Sequence, residues 1–474
     1  MRTLLLLIAT LAGLFLARRL LRRALRRAAL RALLRFRARV DRFKLTRKPF
    51  IAASLLADPQ IVQAVHEHAR VHDMEERAVW RRVEEYVDEI VPFFNVLAYY
   101  RIGYTASRML LNFFYRVSVE FASPSAAARL RKDAVIVYLV NHRSNADYVL
   151  VGYALAGRVS ISYAVGEWAR AFPLEYIFKS FGSYFVRRKY REPLYHMVLE
   201  RYVQLITRNG VTQGIFLEGG LSRDGRLQSA KVGLLDYVLG VARDPAYLER
   251  MFIVPVAVNY DRVLEDRSLL RELDARAGGR RPSRATQARE VLRYVGWNVA
   301  RLLSRRWRRY GRAAVVIGDP MPLQPWFASQ GGGEALFALP RHERLARVQQ
   351  LADDVLSRIG AIIPVTPVAL ACAAIQSLDG DFLPRAQILS RMEEMRDVLR
   401  ELNGRVIRAE GPVEEIFDRA WRMLKMRRVL AHAGQGFAVL PAGRPLISYY
   451  ANGIAHLLGP FSEGVRARDS LHWV

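Results

Sequence analysis

The stretch AVIVYLVNHRSNADYVLVGYALA, residues 134–156, sets the reading of the whole chain. Its first seven residues are a continuous apolar run rich in β-branched types, the pattern of a strand buried on both faces. Its last eleven carry a helical pattern. Between them Asn141, His142, Arg143, Ser144 and Asn145 stand in succession, so an apolar strand enters a helix through a polar turn. Similar short β-type runs recur at SISYAV (160–165), SYFV (183–186), QGIFL (213–217), FIVPVAV (252–258) and AAVVI (313–317), with helical patterns between most of them. This alternation predicts an α/β layered domain over residues 119–325, with a largely parallel central sheet flanked by helices. Ligands of such sheets bind beyond the carboxyl ends of the strands, where the 141–147 turn falls. Pro255, inside FIVPVAV, points to an edge strand or a bend that lines a channel.

On either side the periodicity is helical. Residues 50–118 alternate apolar and charged positions, as in HEHARVHDMEERAVWRRVEEYVDEIVPFF, and read as an N-terminal helical region. After Pro320 and Pro322 the loop FASQGGGEALFALP marks a boundary, and residues 326–474 read as a C-terminal helical region. A chain of 474 residues with 51% hydrophobic and 25% charged content folds as two or three parts. The single cysteine, Cys372, excludes an internal disulfide and a multi-cysteine metal site. Within the apolar run PVTPVALACAAI it reads as helix packing.

The formal net charge of +28 is concentrated in two segments. Residues 1–50 hold 15 Lys and Arg against Asp41 alone, a net +14; residues 271–312 hold 13 Arg against Glu272, Asp274 and Glu290, a net +10. In residues 1–49 the apolar run LLLLIATLAGLFLA continues into RRLLRRALRRAALRALLRFR, where leucines recur at helical spacing between paired arginines. That is the composition of a membrane anchor, either an interfacial helix or a short tilted span with its Arg-rich end in the cytoplasm. Leucine interleaving argues against a nucleic-acid arm, which would carry polar residues and stacking aromatics. No cleavage site follows the apolar run, so a removed signal peptide is disfavoured. In the second segment Arg289, Arg293, Arg301, Arg305 and Arg308 recur at helical spacing with Trp297 in the gap, a stripe suited to an acidic partner or to the membrane.

The polar turn carries the chemistry. Ser144 or Asn145 suits the N-cap of the following helix, and Ser144 with Asp147 fits a capping box. His142 is not explained by capping. Across a strand-to-helix turn the Asp147 carboxylate reaches the imidazole, fixing its tautomer and leaving the other nitrogen to accept a proton. The chain has no GxSxG elbow, Walker A loop, GxGxxG fingerprint or HExxH pair, so the pair is a general base and the substrate supplies the nucleophile. Further on, GSYFVRR (182–188) ends a strand in Arg187 and Arg188. FLEGGLSRDGR (216–226) sets Glu218, Gly219, Gly220, Ser222, Arg223 and Arg226 after another, as in a phosphate cradle or a tight turn with surface arginines.

In this order NHRSNAD, GSYFVRR, LEGGLSRDGR and IVPVAVNYD resemble the four motif blocks of the glycerol-3-phosphate acyltransferase branch of the glycerolipid acyltransferase superfamily. PVTPVALACAAI and PLISYYANGIAHLL resemble segments that follow the catalytic domain in its bacterial and mitochondrial members. The resemblance implies His142 as general base, Asp147 as its orienting partner, and Arg187, Arg188 and the Glu218, Gly219, Gly220, Ser222, Arg223 block as binders of the acceptor. It departs from the family at Leu221, where an arginine is usual; Arg223, Arg226 or Arg188 would compensate.

The implied reaction moves a fatty acyl group from a thioester, acyl-CoA or acyl carrier protein, to the sn-1 hydroxyl of glycerol 3-phosphate, giving lysophosphatidic acid. Amides around Gly219 and Gly220 would stabilise the oxyanion. No metal and no cofactor beyond the acyl co-substrate is expected, and the partners are membrane phospholipids at the cytoplasmic face of the cell membrane, with no nucleic acid. Lysophosphatidic acid or dihydroxyacetone phosphate as acceptor is the near alternative, and a catalytically silent membrane adaptor is the alternative of another class.

Overall fold

In a computed structural model the chain is described over residues 18–19, 42–95, 98–123, 130, 133–156, 158–170, 174–187, 190–276, 309–407 and 411–470. The apolar part of the N-terminal segment and the arginine stripe at 289–308, with Trp297, lie outside the described residues. Among the described residues no helix is long and apolar enough to cross a membrane.

The principal strands are β1 (Arg116–Phe121), β2 (Val135–Val140), β3 (Ser162–Gly166), β4 (Tyr184–Val186), β5 (Gln213–Phe216), β6 (Met251–Tyr260), β7 (Arg312–Ile317) and the short β8 (Met321–Pro322). The chain divides into two compact units that interleave along the sequence. One holds residues 1–108, 152–214 and 237–241, the other 109–151, 215–236 and 242–474, and the division passes through β5. Pairing is parallel for β1 with β7, β2 with β6, and β3 with both β4 and β5, whereas β7 and β8 run antiparallel to β6. The fold is therefore α/β with a mostly parallel sheet, and the strand runs that define it recur within a residue or two of their sequence limits.

In the first unit β3 pairs with β4 and with the start of β5. Helix Glu76–Ile90 buries Val79, Val83, Tyr86, Val87 and Ile90, a stripe at helical spacing, and packs on Pro193–Arg208 and on β4. Helix Pro59–Val71 joins them, started by Asp58, whose carboxylate accepts the Gln60 N–H at 3.0 Å with Pro59 at the first helical position. Glu89 is the exception on this packed face. It is a buried carboxylate on an otherwise apolar stripe, and its partners are described below.

In the second unit the order is β1-β7-β6-β2-β5. Every residue of β2 is buried, which is why its run is continuously apolar. Pro255 is not on an edge: β6 is flanked by β2 on one side and by β7 and β8 on the other. The proline is accommodated because it falls between the two antiparallel ladders, which end at Ile253 and begin at Val256. There the facing chain turns at Gly318, whose N–H bonds to the Pro255 carbonyl at 2.8 Å, and no partner calls for a donor from Pro255. Strand β1 falls where the sequence reading passes from the helical region to the α/β domain. Its residues RVSVEF do alternate polar and apolar, but over only six positions, and the segment is a half-exposed edge that pairs with β7.

The C-terminal region surrounds helix Pro367–Ser377, buried from Pro367 through Gln376 including Cys372. Helices Arg385–Glu401, Val413–Met426 and Arg444–Asn452 pack on it, and a three-stranded antiparallel sheet of Phe382–Pro384, Gly436–Val439 and Leu430–Ala433 adds to these helices. This region is tied to the segment after β6. Arg427 grips the buried Asp266 with both terminal nitrogens, at 2.7 and 2.8 Å, and the Tyr450 hydroxyl donates to the same carboxylate at 2.5 Å. The second tie is steric. Gly225, at φ +84°, lies so close to the Tyr449 carbonyl that a Cβ would sit 1.8 Å from its oxygen.

Arg427→Met leaves Asp266 buried without its cation, and the expected loss is about 3–5 kcal/mol in denaturant melts. Adding Asp266→Asn removes the stranded charge and is expected to recover most of that loss. Equal destabilisation of the single and double variants would show that packing, not charge, is what Arg427 contributes.

Candidate active site

Strand β2 ends at Val140, and the sheet is prolonged by a side chain. Asn141 bonds the backbone of Val258 through both ends of its amide, accepting its N–H at 2.7 Å and donating to its C=O at 3.1 Å. This anchors the start of the turn to β6. The four residues that follow place their amide hydrogens on carboxylates. His142 N–H donates to Glu218 Oε1 at 2.7 Å, Arg143 and Ser144 N–H both donate to Asp147 Oδ2 at 2.7 and 3.0 Å, and Asn145 N–H donates to Glu265 Oε1 at 3.2 Å. Three carboxylates from three segments thus bind four consecutive amides.

Asp147 Oδ2 also lies 2.9 Å from His142 Nδ1, and the Tyr260 hydroxyl donates to Oδ1 at 2.6 Å. The capping role and the histidine role of Asp147 are therefore one arrangement. The carboxylate that reaches back to the Ser144 amide, as a capping box requires, is aimed by that bond at the imidazole. With a carboxylate on Nδ1, that nitrogen carries the proton and Nε2 is the one able to accept another. The ring stacks on Phe216 at 4.0 Å between centroids and meets the edge of Tyr148 at 5.6 Å, and both His142 and Asp147 are buried, at 1% and 0% exposure. Such walls keep water from the pair and fix the ring plane.

The third motif block supports this turn from below. Glu218 is buried and both oxygens are engaged, Oε1 by His142 N–H and Oε2 by Gln228 N–H at 2.8 Å. Burial raises its pKa to about 7, against the opposing pull of the Arg143 charge and the two amides. Ser222 is fully buried, donates its N–H to the His142 carbonyl at 3.0 Å and its hydroxyl to the Arg226 carbonyl at 2.6 Å. Gly219, at φ +66°, closes the turn with its N–H on the Phe216 carbonyl at 3.0 Å, so that hydrogen is already in use. Arg223 points to Glu272, 3.0 Å away. Arg188 lies outside the described residues.

Arg187 stands at the carboxyl end of β4, in the other unit. Its Nε and Nη2 form a bidentate pair with Glu89, at 2.8 and 2.5 Å, which holds its pKa above the ordinary arginine value. The rings of Tyr86, Tyr190 and Tyr195 lie 4.8–5.8 Å from the guanidinium carbon.

Three residues at the His142 turn have no role assigned to them in the sequence reading. Tyr260 stands near the end of the fourth block and Glu265 follows it, and Glu265 accepts the Ser144 hydroxyl at 2.7 Å besides the Asn145 amide. Arg143 is buried with its guanidinium on the carbonyls of Gly225 and Gly453, the latter at 3.1 Å, joining the turn to the C-terminal region. The NYD ending of the fourth block was a signal for Tyr260; nothing local marked Glu265.

Residues 125–259 match the acyltransferase family, and residues 296–462 match the glycerol-3-phosphate acyltransferase C-terminal region. Among curated proteins the chain is similar to the glycerol-3-phosphate acyltransferases of Aeromonas hydrophila and Actinobacillus succinogenes. Each is 27% identical, over 87% and 88% of this chain and 50% of the relative. The chain thus spans about half the length of the curated relatives it matches. Among solved structures, the 1-acyl-sn-glycerophosphate acyltransferase of Thermotoga maritima aligns at 16% identity and a TM-score of 0.31, over 54% of this chain and 76% of that one. The acyltransferase region and this C-terminal region follow one another in the chain, and its similarity over both is to the glycerol-3-phosphate acyltransferase branch of the glycerolipid acyltransferase superfamily.

Proposed function

We propose that the chain transfers a fatty acyl group from a thioester to the sn-1 hydroxyl of glycerol 3-phosphate, giving lysophosphatidic acid. The observation that carries this reading is the His142–Asp147 pair, with Nδ1 on a carboxylate that is itself held by two amides and the Tyr260 hydroxyl. A base so held has one nitrogen directed to the carboxylate and one left for a substrate hydroxyl. The hydroxyl oxygen attacks the thioester carbonyl as His142 Nε2 takes its proton; the tetrahedral intermediate collapses, the carbon–sulfur bond breaks and the thiolate leaves, taking up a proton. Acyl-CoA and acyl carrier protein are the two donor classes, and the reaction as written calls on no metal or further cofactor.

Arg187 is proposed to bind the acceptor's phosphate, since a guanidinium matches phosphate oxygens in shape and charge. The Glu218 carboxylate and the Ser222 hydroxyl have a different role from the one the motif suggests. Both are occupied within the protein: Glu218 holds the His142 turn, and the Ser222 hydroxyl, on the Arg226 carbonyl, fixes the segment whose Ser222 N–H bonds the His142 carbonyl. Residues 1–49 are proposed to anchor the protein at the cytoplasmic face of the cell membrane, where the long-chain product partitions; their leucine and arginine interleaving supports this.

His142→Ala is expected to lower kcat by roughly 10²–10⁴-fold in a liposome assay with labelled glycerol 3-phosphate. Asp147→Asn is expected to lower kcat by a comparable factor while the protein stays folded, because the amide cannot serve the imidazole and the backbone hydrogens together. An Asp147→Asn variant whose activity falls only as far as its melting temperature would reduce the residue to a helix cap.

Glu218 gives a pH signature. Its carboxyl titrates near 7 in the fold and near 4.5 unfolded, so the folded state binds the extra proton between those values. Stability contributed by the protonated group is full below about pH 4.5 and is lost as pH rises toward 7. Wild type is therefore expected to lose up to about 3 kcal/mol relative to Glu218→Gln across that window, with no further change above it. A difference between the two that is flat from pH 4.5 to 7 would contradict a buried, proton-binding Glu218.

A further inference from the structure

The carboxylate of Glu89 is shared. Arg187 takes it with Nε and Nη2, and Arg170 approaches Oε1 through Nη1 alone, at 3.1 Å. The two arginines emerge from the carboxyl ends of adjacent parallel strands: Gly166 at the end of β3 pairs with Val186 at the end of β4, Arg187 follows directly, and Arg170 closes the short turn Glu167–Arg170. That edge of the sheet is where a ligand of an α/β fold is received. Around one buried carboxylate the cluster has two guanidinium charges, so it retains a net positive charge.

The division of hydrogen bonds within the cluster is unequal. A guanidinium recognises phosphate best through its Nε–Nη2 edge, whose two parallel hydrogens match two oxygens. On Arg187 this edge is closed by Glu89, which leaves Nη1 toward any ligand. On Arg170 it is open: Nε and Nη2 have no partner among the described residues, and the side chain is 39% exposed, against 26% for Arg187. Glu89 therefore aligns both arginines but saturates only one.

We propose that Arg170 is the principal phosphate-binding guanidinium of this subsite, gripping the phosphate of the acceptor through its open edge, with Arg187 adding a single contact and Glu89 positioning both. The proposal rests on the reading of glycerol 3-phosphate as acceptor.

The test uses the full chain in detergent–phospholipid micelles, as wild type, Arg170→Ala and Arg170→Lys. The KM for glycerol 3-phosphate, the KM for the acyl thioester and the inhibition constant of inorganic phosphate are measured for each. Arg170→Ala is expected to raise the KM for glycerol 3-phosphate and the phosphate inhibition constant by tenfold or more, leaving the thioester KM within twofold. Arg170→Lys should recover part of the loss, since it restores charge without the fork. Unchanged values for both phosphate-bearing ligands in Arg170→Ala overturn the proposal, whatever happens to the melting temperature, and leave Arg170 as an ion-pair partner of Glu89. Failure of the acceptor reading looks different: wild type then acylates no glycerol 3-phosphate with either donor. In that event calorimetry with inorganic phosphate decides the subsite alone, weaker binding by Arg170→Ala upholding it and equal binding overturning it.

Discussion

Four successive amide hydrogens at the end of β2, from His142 to Asn145, are bound by three carboxylates, and the rest of the second unit is arranged around that clamp. A polar turn that is buried must satisfy its backbone donors from within the protein, because no secondary-structure ladder continues there. Glu218 reaches it from the end of β5, Glu265 from the segment after β6, and Asp147 from the turn itself. Hydrogen bonds to charged acceptors are stronger than neutral ones, so the turn is held more firmly than a ladder would hold it. The imidazole inherits that firmness through Asp147 Oδ2.

Concentrating carboxylates has an electrostatic cost that the structure distributes. Glu218 and Glu265 both titrate above their usual values, in each case first through burial, with the Asp147 charge adding to it. The buried Arg143 guanidinium offsets part of this at Glu218. Its own hydrogen bonds run to the carbonyls of Gly225 and Gly453, so the cation that stabilises the turn also fastens it to the C-terminal region. The region after the acyltransferase match is in this sense part of the site. The Asp266–Arg427–Tyr450 network and the close approach of Gly225 to Tyr449 make the same connection at two further points.

The third block shows how a motif can be legible while its physical role is not. LEGGLSRDGR has the residue types of a phosphate cradle, and in the fold its glutamate and serine face inward to the His142 turn. Burial decides between the two, and burial depends on what covers the segment. The second block poses the reverse case. Arg187 lies where the strand rule puts it, but its fork is closed by Glu89, a residue on a helix whose sequence reads as an ordinary amphipathic stripe.

What the sequence determined by itself is what short-range physics controls. Periodicity of two and of 3.6 located the core strands and most helices, and the five-residue spacing of His142 and Asp147 brought imidazole and carboxylate together because a strand-to-helix turn folds the chain back locally. Where local signal was brief the reading lost detail: the edge strand Arg116–Phe121 alternates over only six residues at the border of the helical region, and Pro255 was read for an edge or a bend although two antiparallel ladders part to admit it. Everything that surrounds the pair was decided by tertiary structure. Glu218 meets His142 across 76 residues, Tyr260 meets Asp147 across 113, Glu265 meets Ser144 across 121, and Glu89 meets Arg187 across 98. No local preference encodes such contacts. They follow from which strand ends lie side by side and in what register, and that is settled only when the sheet has formed and its helices have closed over it.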